Sequence, residues 1–264
     1  MPESRERYTE QVMKPEHHTD TRSSSAFPRT RHSVLLAARD ADPETRRRAL
    51  DVLIAAYWRP VYAYLRLRWR LEREDAEDGT QGFFADVLER GLLERYDPAR
   101  ARFRTYLRLC LDAYAANERK AAARLKRGGH LERVALDLEA MEGELARSGA
   151  VSPADAEELF DREWVRSIFT LAVDTLRERL AAAGKRVHFE LFRRYDLGGA
   201  DAPDRPTYAQ LAAEHGLPVT QVTNFLALAR REFRRAVLDT LYELCGSEEE
   251  YRAEARELLG VEAQ

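Results

Sequence analysis

Three groups of residues in this sequence have types and spacings that could do chemistry. The first is Glu74, Asp75, Glu77 and Asp78, four carboxylates within five positions. Such a run could ligate a divalent cation, or divide into a general acid and a general base. No activated nucleophile and no glycine loop for cradling phosphate accompanies it. Carboxylates are also favoured at a helix start by the helix dipole alone. The residues therefore point away from an enzyme, with no cofactor and no metal. The second group interleaves rings and cations: Arg100, Arg102, Phe103, Arg104, Tyr106 and Arg108, extended by Arg119, Lys120, Arg124, Lys126 and Arg127. Cations attract phosphates and rings stack on unpaired bases, so this mixture suits a nucleic-acid strand that is partly opened. Phe103 and Leu107, four apart, should turn inward together. The third group is Thr220, Gln221, Thr223 and Asn224, followed by Arg230, Arg231, Arg234 and Arg235. Amides and hydroxyls can read base edges, and arginines further along can hold the backbone.

Other reactive types carry less. The tandem His17-His18 has no further ligand nearby and reads as part of a solvated tail. Cys110 and Cys245 stand far apart without a CxxC or Cys/His cluster, and read as two thiols in a reducing cytosol.

The elements that must position these groups are helices. The sequence is 44% hydrophobic and 34% charged, rich in Ala, Leu, Arg and Glu, with a net charge of −3. Ser33 can cap a short helix through Val34, Leu35 and Leu36. Pro43 suits the first turn of the next one. That helix carries an apolar stripe from Ala49 to Val61, and Pro60 should bend or break it. The acidic run opens a third helix whose apolar face is Phe83, Phe84, Val87 and Leu88. A loop over residues 94–100 leads into a long helix from Phe103 to about Lys126, stopped by Gly128-Gly129. Further helices are expected across residues 164–180 and 187–195.

Thr207 can cap a short helix over residues 208–215. Gly216 turns the chain, and Pro218 and Val219 start a longer helix containing Val222, Phe225, Leu226, Ala229 and Phe233. This is the grammar of a helix-turn-helix, in which the second helix presents its early residues to the major groove. A charged amphipathic segment, Glu248–Leu259, follows.

Charge divides the chain. Residues 100–130 hold nine Lys or Arg against two acids, whereas residues 131–163 hold ten acids against three bases. The expected fold is all-α: two small helical domains joined by an acidic linker, the second containing the helix-turn-helix. The divisions are a flexible tail (1–31), a first helical domain (32–130), the acidic linker (131–160), a second helical domain (161–243) and a C-terminal extension (244–264). With no apolar leader and no ~20-residue apolar stretch, a soluble cytoplasmic protein without a membrane span is expected.

Three segments in order resemble the extracytoplasmic-function (ECF) sigma factors of RNA polymerase. The first runs from Tyr57-Trp58-Arg59-Pro60-Val61-Tyr62 to Asp75-Ala76-Glu77-Asp78 and Gln81-Gly82-Phe83-Phe84. The second joins Phe103-Arg104-Thr105-Tyr106-Leu107 to Asn117-Glu118-Arg119-Lys120 and Lys126-Arg127-Gly128-Gly129. The third joins Thr207-Tyr208-Ala209-Gln210-Leu211-Ala212 to Val219-Thr220-Gln221-Val222-Thr223-Asn224. The resemblance spans about residues 33–242. It implies that the first domain is similar to sigma region two, docking on the clamp helices of the polymerase beta-prime subunit through Asp75, Asp78, Gln81 and Phe84. An acidic, amide-bearing face suits an arginine-bearing coiled coil.

The resemblance further implies that Tyr96, Arg104, Tyr106, Arg108, Asn117, Lys120 and Arg124 capture the opened minus-ten element. Ala113 stands where relatives usually carry an Asn. The second domain resembles sigma region four, with Thr207, Thr220, Gln221, Thr223, Asn224, Arg230 and Arg231 reading the minus-thirty-five element. The implied partners are core RNA polymerase (beta-prime clamp helices and beta flap), promoter DNA and an anti-sigma protein. The alternative is a helix-turn-helix regulator that binds DNA and never engages polymerase. Thr80, inside the docking segment, reads as a helix-start threonine in preference to a phosphorylation switch.

Overall fold

The computed structural model describes residues 34–122, 141–142, 145, 153–198 and 205–260. Outside them lie the 1–31 tail with His17-His18, the Ser33 cap, Arg124, Lys126, Arg127 and the Gly128-Gly129 stop. Most of the linker and the loop around Gly199 and Pro203 also lie outside. Among the described residues every regular element is a helix, as an all-α chain requires. No helix among them is long and apolar enough to cross a membrane.

Helix α1 (Val34–Ala37) buries Val34 and Leu35. Helix α2 (Pro43–Leu67) starts at Asp42, whose carboxylate accepts the Thr45 N–H at 2.9 Å, with Pro43 in its first turn. Of the bend or break expected at Pro60, the break does not occur: the helix is continuous through it. A proline inside a helix costs roughly 3 kcal/mol. Around it Tyr57, Trp58, Val61, Tyr62 and Leu65 are all buried, each contributing about 1.5–3 kcal/mol. Packing of the neighbouring turns outweighs the one lost hydrogen bond.

Helix α3 (Arg73–Glu89) turns Ala76, Thr80, Phe83, Phe84 and Val87 inward. Helix α4 (Phe103–Ala122) does the same with Phe103, Leu107, Leu111 and Ala115, a four-residue repeat that keeps one face on the core. Rings lock these helices together: Phe103 meets Tyr57 edge-on at 5.5 Å and Tyr96 at 5.1 Å.

The next helix starts earlier than the sequence suggests. Helix α5 spans Pro153–Ala182, against an expected 164–180. Pro153 opens it and Asp155 lies in its first turn, both favourable at an N-terminus. Leu159 and Phe160, at the end of the expected linker, are buried. Met141 and Leu145, also from the linker, are buried in the same core.

Helix α6 (Arg186–Phe192) continues into a π-helical turn, Arg193–Leu197. Helix α7 (Tyr208–His215) has a complete capping box: the Thr207 hydroxyl accepts the Gln210 N–H, and the Gln210 side chain accepts the Thr207 N–H. Gly216 adopts φ 63°, the left-handed turn that glycine makes without steric penalty. Helix α8 (Val219–Leu244) follows, and Ser247 caps α9 (Glu248–Leu259).

Two hydrophobic cores result. One gathers α1 to α4, the first half of α5, the second half of α8 and α9. The other gathers Leu176, Leu180, Leu191, Phe192, Leu211, Val222, Leu226 and Ala229. Helices α5 and α8, of 30 and 26 residues, contribute to both. At 1.5 Å per residue they are roughly 45 and 39 Å long, enough to pass from one core to the other.

Candidate nucleic-acid interface

The acidic run opens α3 as expected, and Asp75 and Asp78 point outward. Gln81 and Phe84, expected beside them, do not. Gln81 is 7% exposed and Phe84 5%. Phe84 stacks on Trp58, ring centres 6.0 Å apart and nearly parallel. The reason is register: Ala76, Thr80, Phe83, Phe84 and Val87 form the core face, and position 81 lies on its edge, only 100° from Thr80. Thr80 is not at the helix start but midway along α3, fully buried, its hydroxyl donating to the Ala76 carbonyl at 2.6 Å. A kinase has no access to it in this fold.

The basic aromatic segment divides in two. Arg104 and Lys120, expected together, are 16 residues apart on α4, which places them roughly 160° around the helix from each other. Tyr106, Ala113, Asn117 and Lys120 share one side. Ala113, Asn117 and Lys120 are exposed there, together with Leu109, 56% exposed. Tyr106 is half-buried and donates from its hydroxyl to the Leu92 carbonyl at 2.7 Å.

The other side of α4 is covered. Arg104 is 6% exposed. Its guanidinium lies 3.3 Å from Glu254, 3.5 Å from Asp161 and 3.5 Å from Glu257, over the Trp164 ring at 5.0 Å. Arg108 pairs with Glu157. Tyr96 is 5% exposed and donates from its hydroxyl to Glu250 at 3.1 Å. Both Tyr96 and Arg104, expected at an open strand-binding surface, are therefore inside. A buried cation needs a fixed counter-charge, and α5 and α9 deliver it.

Glu250 ties this corner together. Its carboxylate accepts the Tyr96 hydroxyl, the Phe103 N–H at 2.7 Å and the Gly246 N–H at 2.7 Å. It thus satisfies an open donor at the start of α4 and holds the turn before α9. Gly246 is required there, since a Cβ would sit 2.5 Å from the Tyr96 ring.

The pattern extends to α2. Arg66 forms a two-pronged pair with Glu142, both contacts 2.7 Å, and Arg59 pairs with Glu163. The hydrogen bond from Arg66 holds the Glu142 carboxyl below its usual range. Arg102 does the same for Glu257. Glu254, in contrast, is pushed up by burial, against the pull of Arg104 and Arg102. One of its oxygens finds no hydrogen-bond partner.

These carboxylates were not singled out from the sequence. The signal was present: the basic segment is followed by an acidic one, and Glu250, Glu254 and Glu257 recur at helical spacing. The two blocks meet directly at Arg104–Asp161 and Arg108–Glu157.

The third group is presented outward. On α8, Val222, Leu226 and Ala229 are buried, while Thr220, Thr223, Asn224, Ala227 and Arg231 are exposed. Positions 220, 224, 227 and 231 fall within about 60° of one another around the helix. The Thr223 hydroxyl donates to the Val219 carbonyl at 3.1 Å, Gln221 is half-buried, and Phe225 stacks on His188. Arg230 is engaged: it makes a two-pronged pair with Asp196 at 2.9 and 3.0 Å and lies over Tyr195. The Arg231 side chain is 73% exposed, with a long contact of 3.9 Å to Glu232. Thr207 serves as the α7 cap.

Cys110 and Cys245 do not join in a disulfide. Among the described residues no group of His, Cys, Asp and Glu is arranged to hold a metal ion.

Comparison with protein-family models, with curated proteins and with solved structures returned no match.

Proposed function

We propose that this chain is an ECF-type sigma factor that brings core RNA polymerase to specific promoters and takes part in strand opening. The observation that carries the DNA-binding part is the outward stripe of Thr220, Asn224 and Arg231 on α8, opposite an apolar face that seats the helix on α7. Hydroxyl and amide groups at the front of a helix can read base edges, and an arginine about two to three turns later can hold phosphate. The step from DNA binding to polymerase rests on the three resembling segments and on the outward carboxylates Asp75 and Asp78. Tyr106, Asn117 and Lys120 are the residues best placed to meet an unpaired strand.

A second reading is a DNA-binding regulator that uses α7 and α8 and ignores polymerase. Two observations favour it: the burial of Gln81 and Phe84 commits half of the expected docking group to the core, and Arg104 and Lys120, expected to hold one melted strand together, lie on opposite sides of α4.

The two readings separate in one experiment. Purified chain is tested for capture of core polymerase, beside an Asp78→Ala variant and an Asn224→Ala variant. Promoter binding by the same proteins is followed in parallel. The sigma reading expects capture by the unaltered chain and by Asn224→Ala, with clear loss for Asp78→Ala. Asn224→Ala should weaken cognate duplex binding by roughly tenfold, on the order of one base contact. No capture by the unaltered chain, with DNA binding intact, leaves the regulator.

A further inference from the structure

Five arginines of the first 110 residues are held by carboxylates from beyond residue 140. Arg59 is held by Glu163, Arg66 by Glu142, and Arg102 by Glu254 and Glu257. Arg104 is held by Asp161, Glu254 and Glu257, and Arg108 by Glu157. Helix α9 contributes most to the α4 end. Glu250, Glu254 and Glu257 form one acidic edge along it, with successive members about one turn apart. That edge meets Tyr96, the first N–H of α4, Arg102 and Arg104. Arginine cations beside a ring are what a phosphate backbone and an unstacked base would seek.

We propose that α9 is a built-in competitor of nucleic acid, an acidic latch that occupies Tyr96, Arg102 and Arg104 until a single strand displaces it. The proposal rests on the nucleic-acid reading above and adds to it a second, covered surface, with Arg104 on the side of α4 away from Asn117 and Lys120, and the regulation of that surface. The latch is poised for release. Its rim member Glu257 has its side chain 55% exposed, and such pairs hold weakly in water. Its inner member Glu254 is buried with one oxygen unpartnered, so closure leaves a polar group unsatisfied. An apolar anchor, Tyr251 and Ala255, keeps the helix seated in the absence of a competitor. The apparent affinity of the chain for a strand is lowered by the fraction of molecules that are closed.

The test is fluorescence anisotropy with a labelled single-stranded oligonucleotide at fixed ionic strength. Three full-length proteins are compared: the unaltered chain, Glu254→Gln with Glu257→Gln, and a control, Glu248→Gln with Glu249→Gln. The control removes the same charge from exposed positions of the same helix that touch none of these arginines. The latch expects the first variant to bind at least about tenfold tighter than the unaltered chain, and the control to change by less than about threefold. In the unaltered chain, hydrogen-exchange protection over residues 248–259 should fall when saturating oligonucleotide is added, a readout independent of any variant's folding.

Equal tightening by the control overturns the latch, since net charge alone would then explain it. Equal affinity of all three, with 248–259 still protected when the strand is bound, also overturns it and leaves the nucleic-acid reading standing. No binding by any of the three overturns both for this surface, and capture of core polymerase by the unaltered chain then decides the sigma reading separately.

Discussion

Arg104 is buried between Asp161, Glu254 and Glu257 and against Trp164, while Lys120, further along the same helix, stays in solvent. The energetic consequence differs accordingly. Arg104→Ala leaves Glu254 buried with Arg102 as its remaining counter-charge, and breaking such a pair from one side costs about 3–5 kcal/mol. Lys120→Ala, at an exposed position, should change stability by less than about 0.5 kcal/mol. Urea unfolding of the two variants checks the contrast; equal midpoints would mean that the Arg104 cluster contributes nothing net. Thr80 follows the same logic: it lies about two turns inside α3, on the core face, and not at the helix start.

At the scale of elements, the turns behave as local chemistry dictates. Thr207 and Gln210 cap α7 reciprocally, Gly216 supplies the left-handed turn, and Ser247 caps α9. Elements whose boundaries depend on contacts were less legible. Helix α5 starts at Pro153 because Leu159 and Phe160 find a core to enter, and α2 passes Pro60 because its aromatic neighbours are held. The α8–α9 junction depends on one close approach. Gly246→Ala would push a methyl group to 2.5 Å from the Tyr96 ring, and relieving that overlap should cost about 1–3 kcal/mol. It should also raise hydrogen exchange across α9. An unchanged melting temperature together with unchanged α9 protection would show that the ring yields without strain.

At the scale of the molecule, α5 and α8 run through both cores, so neither core can be lost without disturbing the other. Trp58 and Trp164 are buried in the first core, and Trp69 packs against it at its edge. Tryptophan fluorescence therefore reports that core alone, whereas far-ultraviolet circular dichroism reports all the helices. The shared helices predict coincident urea transitions by the two probes, the mark of a cooperative unit. Separated midpoints would show that the α6–α8 region unfolds on its own.

The sequence by itself determined that the chain is helical, where most helices begin, and which face of α4 and α8 turns inward. Spacing, caps and prolines act within a few residues, so they can be read one segment at a time. It also placed Thr220 and Asn224 away from the apolar face of α8, but did not determine the partial burial of Gln221 or the pairing of Arg230 with Asp196. Only the tertiary structure decided that Gln81, Phe84, Tyr96 and Arg104 are interior, and that carboxylates of α5 and α9 lie on the arginines at the start of α4. Those outcomes depend on which distant surfaces meet. A carboxylate beside an arginine 150 residues away follows from the packing of whole helices, and no local pattern carries that information.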